Sequence, residues 1–138
     1  MKIIKEEFNT LNPEIDSLLL PKMFEYAGTN SANEQKLGFA LVDENGETVG
    51  GIVGSMTFEN FHINGLAIDE RFRGLDYGTL LMDKMEKAVV EACAKLITLS
   101  TLSFQALGFY EKLGYKVFGI LEDCPFEGAT KYYLFKRL

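Results

Sequence analysis

From Gly65 to Leu81 the chain reads Gly65-Leu66-Ala67-Ile68-Asp69-Glu70-Arg71-Phe72-Arg73-Gly74-Leu75-Asp76-Tyr77-Gly78-Thr79-Leu80-Leu81. An apolar run gives way to a turn bearing two arginines and then to an amphipathic stretch, so a strand leads through a basic turn into a helix. That order aims the unpaired amides of a helix start, and the positive end of its dipole, at one point. Such a point binds phosphate. The same pattern also serves as a plain tight connection between strand and helix. It has neither the Lys-Ser/Thr ending of a nucleoside-triphosphate loop nor the three glycines of the dinucleotide fingerprint.

The turn resembles the pyrophosphate motif of the GNAT N-acetyltransferases, R-x-x-G-x-G/A, with Arg73 first, Gly78 last and Asp76 in place of the middle glycine. Downstream, Ala106-Leu107-Gly108-Phe109-Tyr110-Glu111-Lys112-Leu113-Gly114-Tyr115 resembles the family's A-x-x-(L/F)-Y-x-K-x-G-(F/Y) segment. The asparagine that the family often carries three residues before that alanine is Ser103 here. Both segments, each with a strand before it, cover roughly residues 61 to 121. The resemblance implies an acetyl-CoA-dependent N-acetyltransferase built on a mixed, mostly antiparallel sheet of six to seven strands, splayed at its centre and flanked by about four helices. Leu66, Ala67 and Ile68 would offer backbone groups to the pantetheine arm. Arg73, Gly74, Leu75, Asp76, Tyr77, Gly78 and Thr79 would hold the pyrophosphate, and Ser103, Ala106 and Lys112 would complete the set that binds acetyl-CoA. The thioester would lie between the strands at 61 to 68 and 95 to 100.

Tyr110 stands where a tyrosine of related enzymes assists departure of the thiolate, and a phenol near the sulfur donates a proton as that charge develops. The alternative is that Tyr110 packs with Phe109 and Tyr115 beneath the sheet. An amine of pKa near 10 must lose a proton before it attacks. Glu59, His62, Asp69 and Glu70 flank the central strand, and the choice of base among them stays open. Asp76 puts a carboxylate beside the expected pyrophosphate and three residues before Thr79, so it is expected to fold back as an N-cap onto the amide of Gly78 or Thr79. Arg71 faces either phosphate or the neighbouring acids. One histidine builds no Ser-His-Asp set, and direct transfer needs no covalent enzyme intermediate. No ligand cluster points to a metal.

These residues need a frame. Leu37 to Val42 and Val49 to Met56 are apolar runs around Asn45-Gly46, which predicts an antiparallel hairpin. Residues 61 to 68 form a third strand, whose Gly65 suggests a bulge. Leu81, Met85, Ala88 and Ala92 make the apolar stripe of a helix over 78 to 94. A strand at 95 to 100 follows, then a helix at about 104 to 112 ended by Gly114, then strands at 115 to 121 and 130 to 136. Near the start, Asn12-Pro13-Glu14 reads as a helix start, and Pro21 is expected to kink or split that helix. Strands outnumber helices and begin as a hairpin, so the reading is a mixed sheet flanked by helices.

At 138 residues, with 47% hydrophobic and 25% charged residues, the chain reads as one globular domain over 1 to 138. A net charge of -6 disfavours nucleic acid and an anionic membrane surface. No run approaches the roughly 18 apolar residues of a membrane helix, and the acidic start is unlike a signal peptide. Cys93 and Cys124 read as free thiols of a cytoplasmic protein. The expected substrate is a small-molecule amine and the expected state a monomer or homodimer. The alternatives are an amino group of a protein or peptide, or a non-catalytic CoA-binding regulatory module.

Overall fold

A computed structural model describes all residues from Met1 to Leu138 and divides them into two compact units, Met1–Ala32 and Asn33–Leu138. The first unit holds α1 (Phe8–Ala27), which ends where Gly28 turns left-handed at φ 67 and donates its amide to Phe24 O. α1 starts a turn before Asn12, earlier than expected, and runs through Pro21 as one helix without the split that was the other expectation there. Each proline removes a single main-chain donor and leaves the other turns bonded. Asn12 works along the helix instead of capping it, its Nδ2 donating to Asp16 Oδ2 at 3.3 Å.

The second unit is a six-stranded sheet in the order β1-β2-β3-β4-β6-β5. Its strands are β1 (Gln35–Val42), β2 (Thr48–Thr57), β3 (Asn60–Ile68), β4 (Leu96–Leu102), β5 (Lys116–Glu122) and β6 (Thr130–Arg137). Beside them stand α2 (Tyr77–Glu91), α3 (Leu107–Lys112) and a short 3-10 turn at Glu70–Phe72. The chain thus has six strands and three α-helices, and every strand pair but β3–β4 is antiparallel.

The first hairpin closes where Asp43 Oδ1 accepts the amides of Asn45 and Glu47, both at 2.9 Å, and Gly46 supplies φ 82. In the β2–β3 pair the register slips, with Val53 opposite Gly65 but Gly54 opposite Ile63, so Asn64 is an extra residue and β3 bulges where Gly65 suggested. α2 covers one face of the sheet. Its Leu81, Met82, Met85 and Val89 are buried in a core with Ile52, Met56, Phe61, Ile97, Leu99 and Leu134. The stripe therefore runs one residue wider than the periodicity implied, Met82 and Val89 lying deeper than Ala88 and Ala92.

A polar network fastens α2 to the β6 end of the sheet. Glu86 accepts Tyr115 Oη at 3.0 Å and Lys136 Nζ at 3.0 and 3.2 Å, and both charged side chains are mostly covered. Glu86→Ala would strand an ammonium and a phenol that have little access to water, so stability should fall by about 1–2 kcal/mol. Chemical denaturation checks this. An unchanged midpoint would show that water replaces the carboxylate without loss.

Candidate active site

The parallel pairing of β3 with β4 is short: Asn60, Phe61 and His62 face Leu96, Ile97 and Thr98, and there it stops. β3 runs on to Ile68 and β4 to Leu102, so the strands part beyond the bulge and open a cleft of about 950 Å³ through the sheet. On this stretch β3 keeps β2 as its only strand neighbour. Its cleft-facing edge therefore presents unpaired backbone groups, and Leu66, Ala67 and Ile68 line the opening.

The turn that closes one end of the cleft is organised by its own side chains. Asp69 Oδ1 accepts the amide and Nε of Arg71, and Oδ2 accepts Nη2 at 3.0 Å. Those bonds, the side-chain ones foremost, hold the Asp69 carboxyl down at about 2, so it is a weak base, and Arg71 is committed to it. Arg73 lines the cleft. It spends only Nε, on Ile68 O at 3.0 Å, which fixes the guanidinium and leaves its Nη groups for a ligand.

Two residues of the turn are left-handed, Gly74 at φ 75 and Asp76 at φ 62. The expected fold-back of Asp76 onto Gly78 or Thr79 does not occur: Asp76 is the N-cap residue of α2 but makes no side-chain capping bond. A capping side chain needs extended backbone, and the left-handed conformation directs it elsewhere. The same angle accounts for the departure from glycine, since aspartate is among the few side chains that tolerate this region. The first main-chain bond of α2 runs from Leu80 N to Asp76 O, so the amides before it stay open toward the cleft. Gly78 also admits α3, because a Cβ there would lie 3.3 Å from the Phe109 ring. Asp76→Gly should therefore leave stability equal or higher by up to about 1 kcal/mol, and remove a like charge worth about 1 kcal/mol, or fivefold, from acetyl-CoA affinity. Calorimetry and denaturation test both, and weaker binding by the glycine variant would mean that the carboxylate serves the ligand.

Tyr77, Gly78, Thr79, Gly74 and Ala106 also line the cleft, whereas Leu75, Ser103 and Lys112 stand outside it. Leu75 is exposed. Ser103 ties β4 to β6, its amide donating to Thr130 O at 2.8 Å and its Oγ accepting Thr130 N at 3.2 Å. Lys112 ends α3, where a cation suits the dipole.

Tyr110, on α3, is 8% exposed and lines the cleft. Phe109 and Tyr115 hold its ring edge-on, at 5.1 and 6.0 Å between centroids. Packing and access thus coexist in one side chain. Burial pushes its phenol above the ordinary value, so it carries its proton at neutral pH and is able to donate it.

None of Glu59, His62, Asp69 and Glu70 lines the cleft. His62 sits just beneath the point where the strands part. Its Nδ1 lies 2.9 Å from Thr98 Oγ1, and that hydroxyl donates to Asn60 Oδ1 at 3.3 Å. Burial, then the charge of Lys131, lowers the pKa of the ring. The sequence alone holds no signal for Asn64, Ser100, Phe104, Gln105, Pro125 and Lys131, which also line the cleft and are brought together only by long-range folding of strands and loops. No group of three or more His, Cys, Asp or Glu side chains is placed to hold a metal ion. No helix is long and apolar enough to cross a membrane.

Residues 2–115 match the acetyltransferase (GNAT) family. The chain is 33% identical to Blasticidin-S acetyltransferase of Streptomyces morookaense over 96 residues, 69% of this chain and 70% of that one. The crystal structure of an acetyltransferase from Bacillus cereus ATCC 14579 superposes with a TM-score of 0.86 at 31% identity, over 100% of this chain and 99% of that one. A crystal structure of aminoglycoside 6'-N-acetyltransferase complexed with coenzyme A gives a TM-score of 0.66 at 19% identity, over 99% and 97% of the two chains, a likeness of fold.

Proposed function

Because the chain belongs to the GNAT family of acetyltransferases, we propose that it moves an acetyl group from acetyl-CoA directly to a primary amine of a small molecule. The observation that carries this reading is the opening between β3 and β4, with open helix amides at one end and a protonated phenol inside. Arg73 and the amides of Tyr77, Gly78 and Thr79 hold the pyrophosphate. The unpaired edge of β3 matches the amide groups of a pantetheine arm, and Ile68 O, already bound to Arg73, marks where that edge meets the phosphate turn.

Tyr110 holds its proton until charge develops on the leaving sulfur, which burial favours by making the phenolate costly in the resting site. The amine enters from the opposite face of the sheet, past Asn64 and Ser100. Bulk water reaches that face, and the proton the amine must lose departs that way. Thiol release from acetyl-CoA, followed across a panel of amines, tests the reading. Release that depends on both protein and a small amine is expected. Release with lysine-bearing peptides alone would favour a peptide substrate, and tight CoA binding without any release would make the chain a regulatory module.

A further inference from the structure

The charges around the cleft are few and unevenly placed. Its lining holds two cations, Arg73 and Lys131, and one acid, Asp76. Arg73 and Asp76 share the turn before α2, which leaves Lys131 as the only charge at the other end. Among the other residues that line the cleft away from that turn, Asn64, Ser100 and Gln105 are neutral, and Phe104 and Pro125 are apolar.

Lys131 is also on the other side of the sheet from the phosphate turn. Along β6, Leu134 is buried and Tyr132 packs against the same core, beneath α2. Alternation puts Lys131 and Tyr133 on the opposite face. There the Nζ of Lys131 stands 5.3 Å from the centre of the Tyr133 ring, and Phe118 supports that ring from β5 at 6.1 Å. The ammonium is therefore placed by an aromatic shelf and not by an acid, since none of the four ion pairs of the protein includes it. On the same side, His62 of β3 has its pKa lowered by burial first and by the charge of Lys131 second. A half-covered cation without an ion-pair partner, in an end of a cleft that no carboxylate lines, is complementary to an anion brought by the ligand.

Resting on the acetyl-transfer reading, we propose that the acceptor is a primary amine that also carries an anionic group, a carboxylate or phosphate, which Lys131 binds on the face of the sheet opposite α2. The same charge disfavours amines bearing further cationic groups, because no carboxylate lines that end of the cleft. Lys131 is thus a specificity residue, distinct from the donor-binding turn.

The test uses the full chain and matched acceptors: β-alanine and a graded set of amino acids, each with its carboxamide and its decarboxylated amine, and aminoethyl phosphate as the phosphate arm. At least about tenfold higher kcat/KM for the anionic member of a pair is expected. Lys131→Met keeps the stem over Tyr133 and should lower the anionic substrates far more than the carboxamides, and Lys131→Glu should reverse the order toward diamines. Melting temperature and acetyl-CoA affinity verify that both variants fold. The same acceptors titrated into the complex with CoA give an answer without turnover: the anionic members should bind more tightly, and Lys131→Met should abolish the difference. Equal binding of acid and carboxamide, or equal losses for both in Lys131→Met, would overturn the proposal while leaving acetyl transfer intact. Absence of thiol release with every amine would instead remove the transferase reading, and the titration would still decide the role of Lys131.

Discussion

Tyr110→Phe is expected to lower kcat by about tenfold or more while acetyl-CoA affinity changes little. Phenylalanine keeps the edge-on contacts with Phe109 and Tyr115, so the ring stays in place and only the proton donor goes. The split between kcat and binding is the point of the experiment. A residue that merely packs would leave kcat alone after so conservative a change, and one that merely binds CoA would move KM. Burial fixes the expected pH behaviour as well. The phenol titrates above its ordinary value, so its contribution persists at neutral pH and is lost only when alkali removes the proton. The parent should therefore lose a step of activity at high pH that Tyr110→Phe never has. Equal turnover by the two proteins would reduce Tyr110 to a packing residue.

Arg73→Ala is expected to weaken acetyl-CoA binding by about 10- to 100-fold, the range for a charge-assisted hydrogen bond worth about 1.5–3 kcal/mol. The neighbouring arginine supplies the control. Arg71 is spent on Asp69 in a two-pronged pair, so Arg71→Ala removes the same formal charge from the same turn with a much smaller expected loss. Calorimetry of the two variants separates a positioned guanidinium from a general positive field, and salt separates them again, because a diffuse field is screened. Similar losses in both variants would mean that the Nε bond to Ile68 O does not direct Arg73 toward phosphate.

Much of the end of the cleft proposed for acetyl-CoA was legible in the sequence because it is local. The strand, turn and helix between Gly65 and Glu91 follow one another within a short stretch, and the bulge beside Gly65 leaves its mark in that glycine. The behaviour of Asp76 was misread for a physical reason. Residue type favoured an N-cap, but the turn demands a left-handed residue at that place, and backbone geometry prevails over side-chain preference. The unbroken helix through Pro21 is a second case, where one lost hydrogen bond did not outweigh the turns around it.

The end of the cleft proposed for the acceptor was not legible. Lys131 reaches the cleft through the pairing of β6 with β4, which sets it opposite Leu102, and no spacing in the chain announces that neighbour. Asn64 and Ser100 line the cleft from β3 and β4, strands far apart in the chain, for the same reason. The candidate bases show the limit from the other side, for Glu59, His62, Asp69 and Glu70 have fitting chemistry but lie outside the cleft lining.

The most direct test of the account is the fate of the acetyl group itself. Acetyl-CoA labelled in its acetyl carbons is mixed with the protein and an amine, and the products are separated and identified by mass spectrometry. Direct transfer places the label in an amide of the amine nitrogen, formed in step with free CoA, and none on the protein. Label recovered only as acetate, or retained on a side chain of the protein, would contradict direct transfer to an amine.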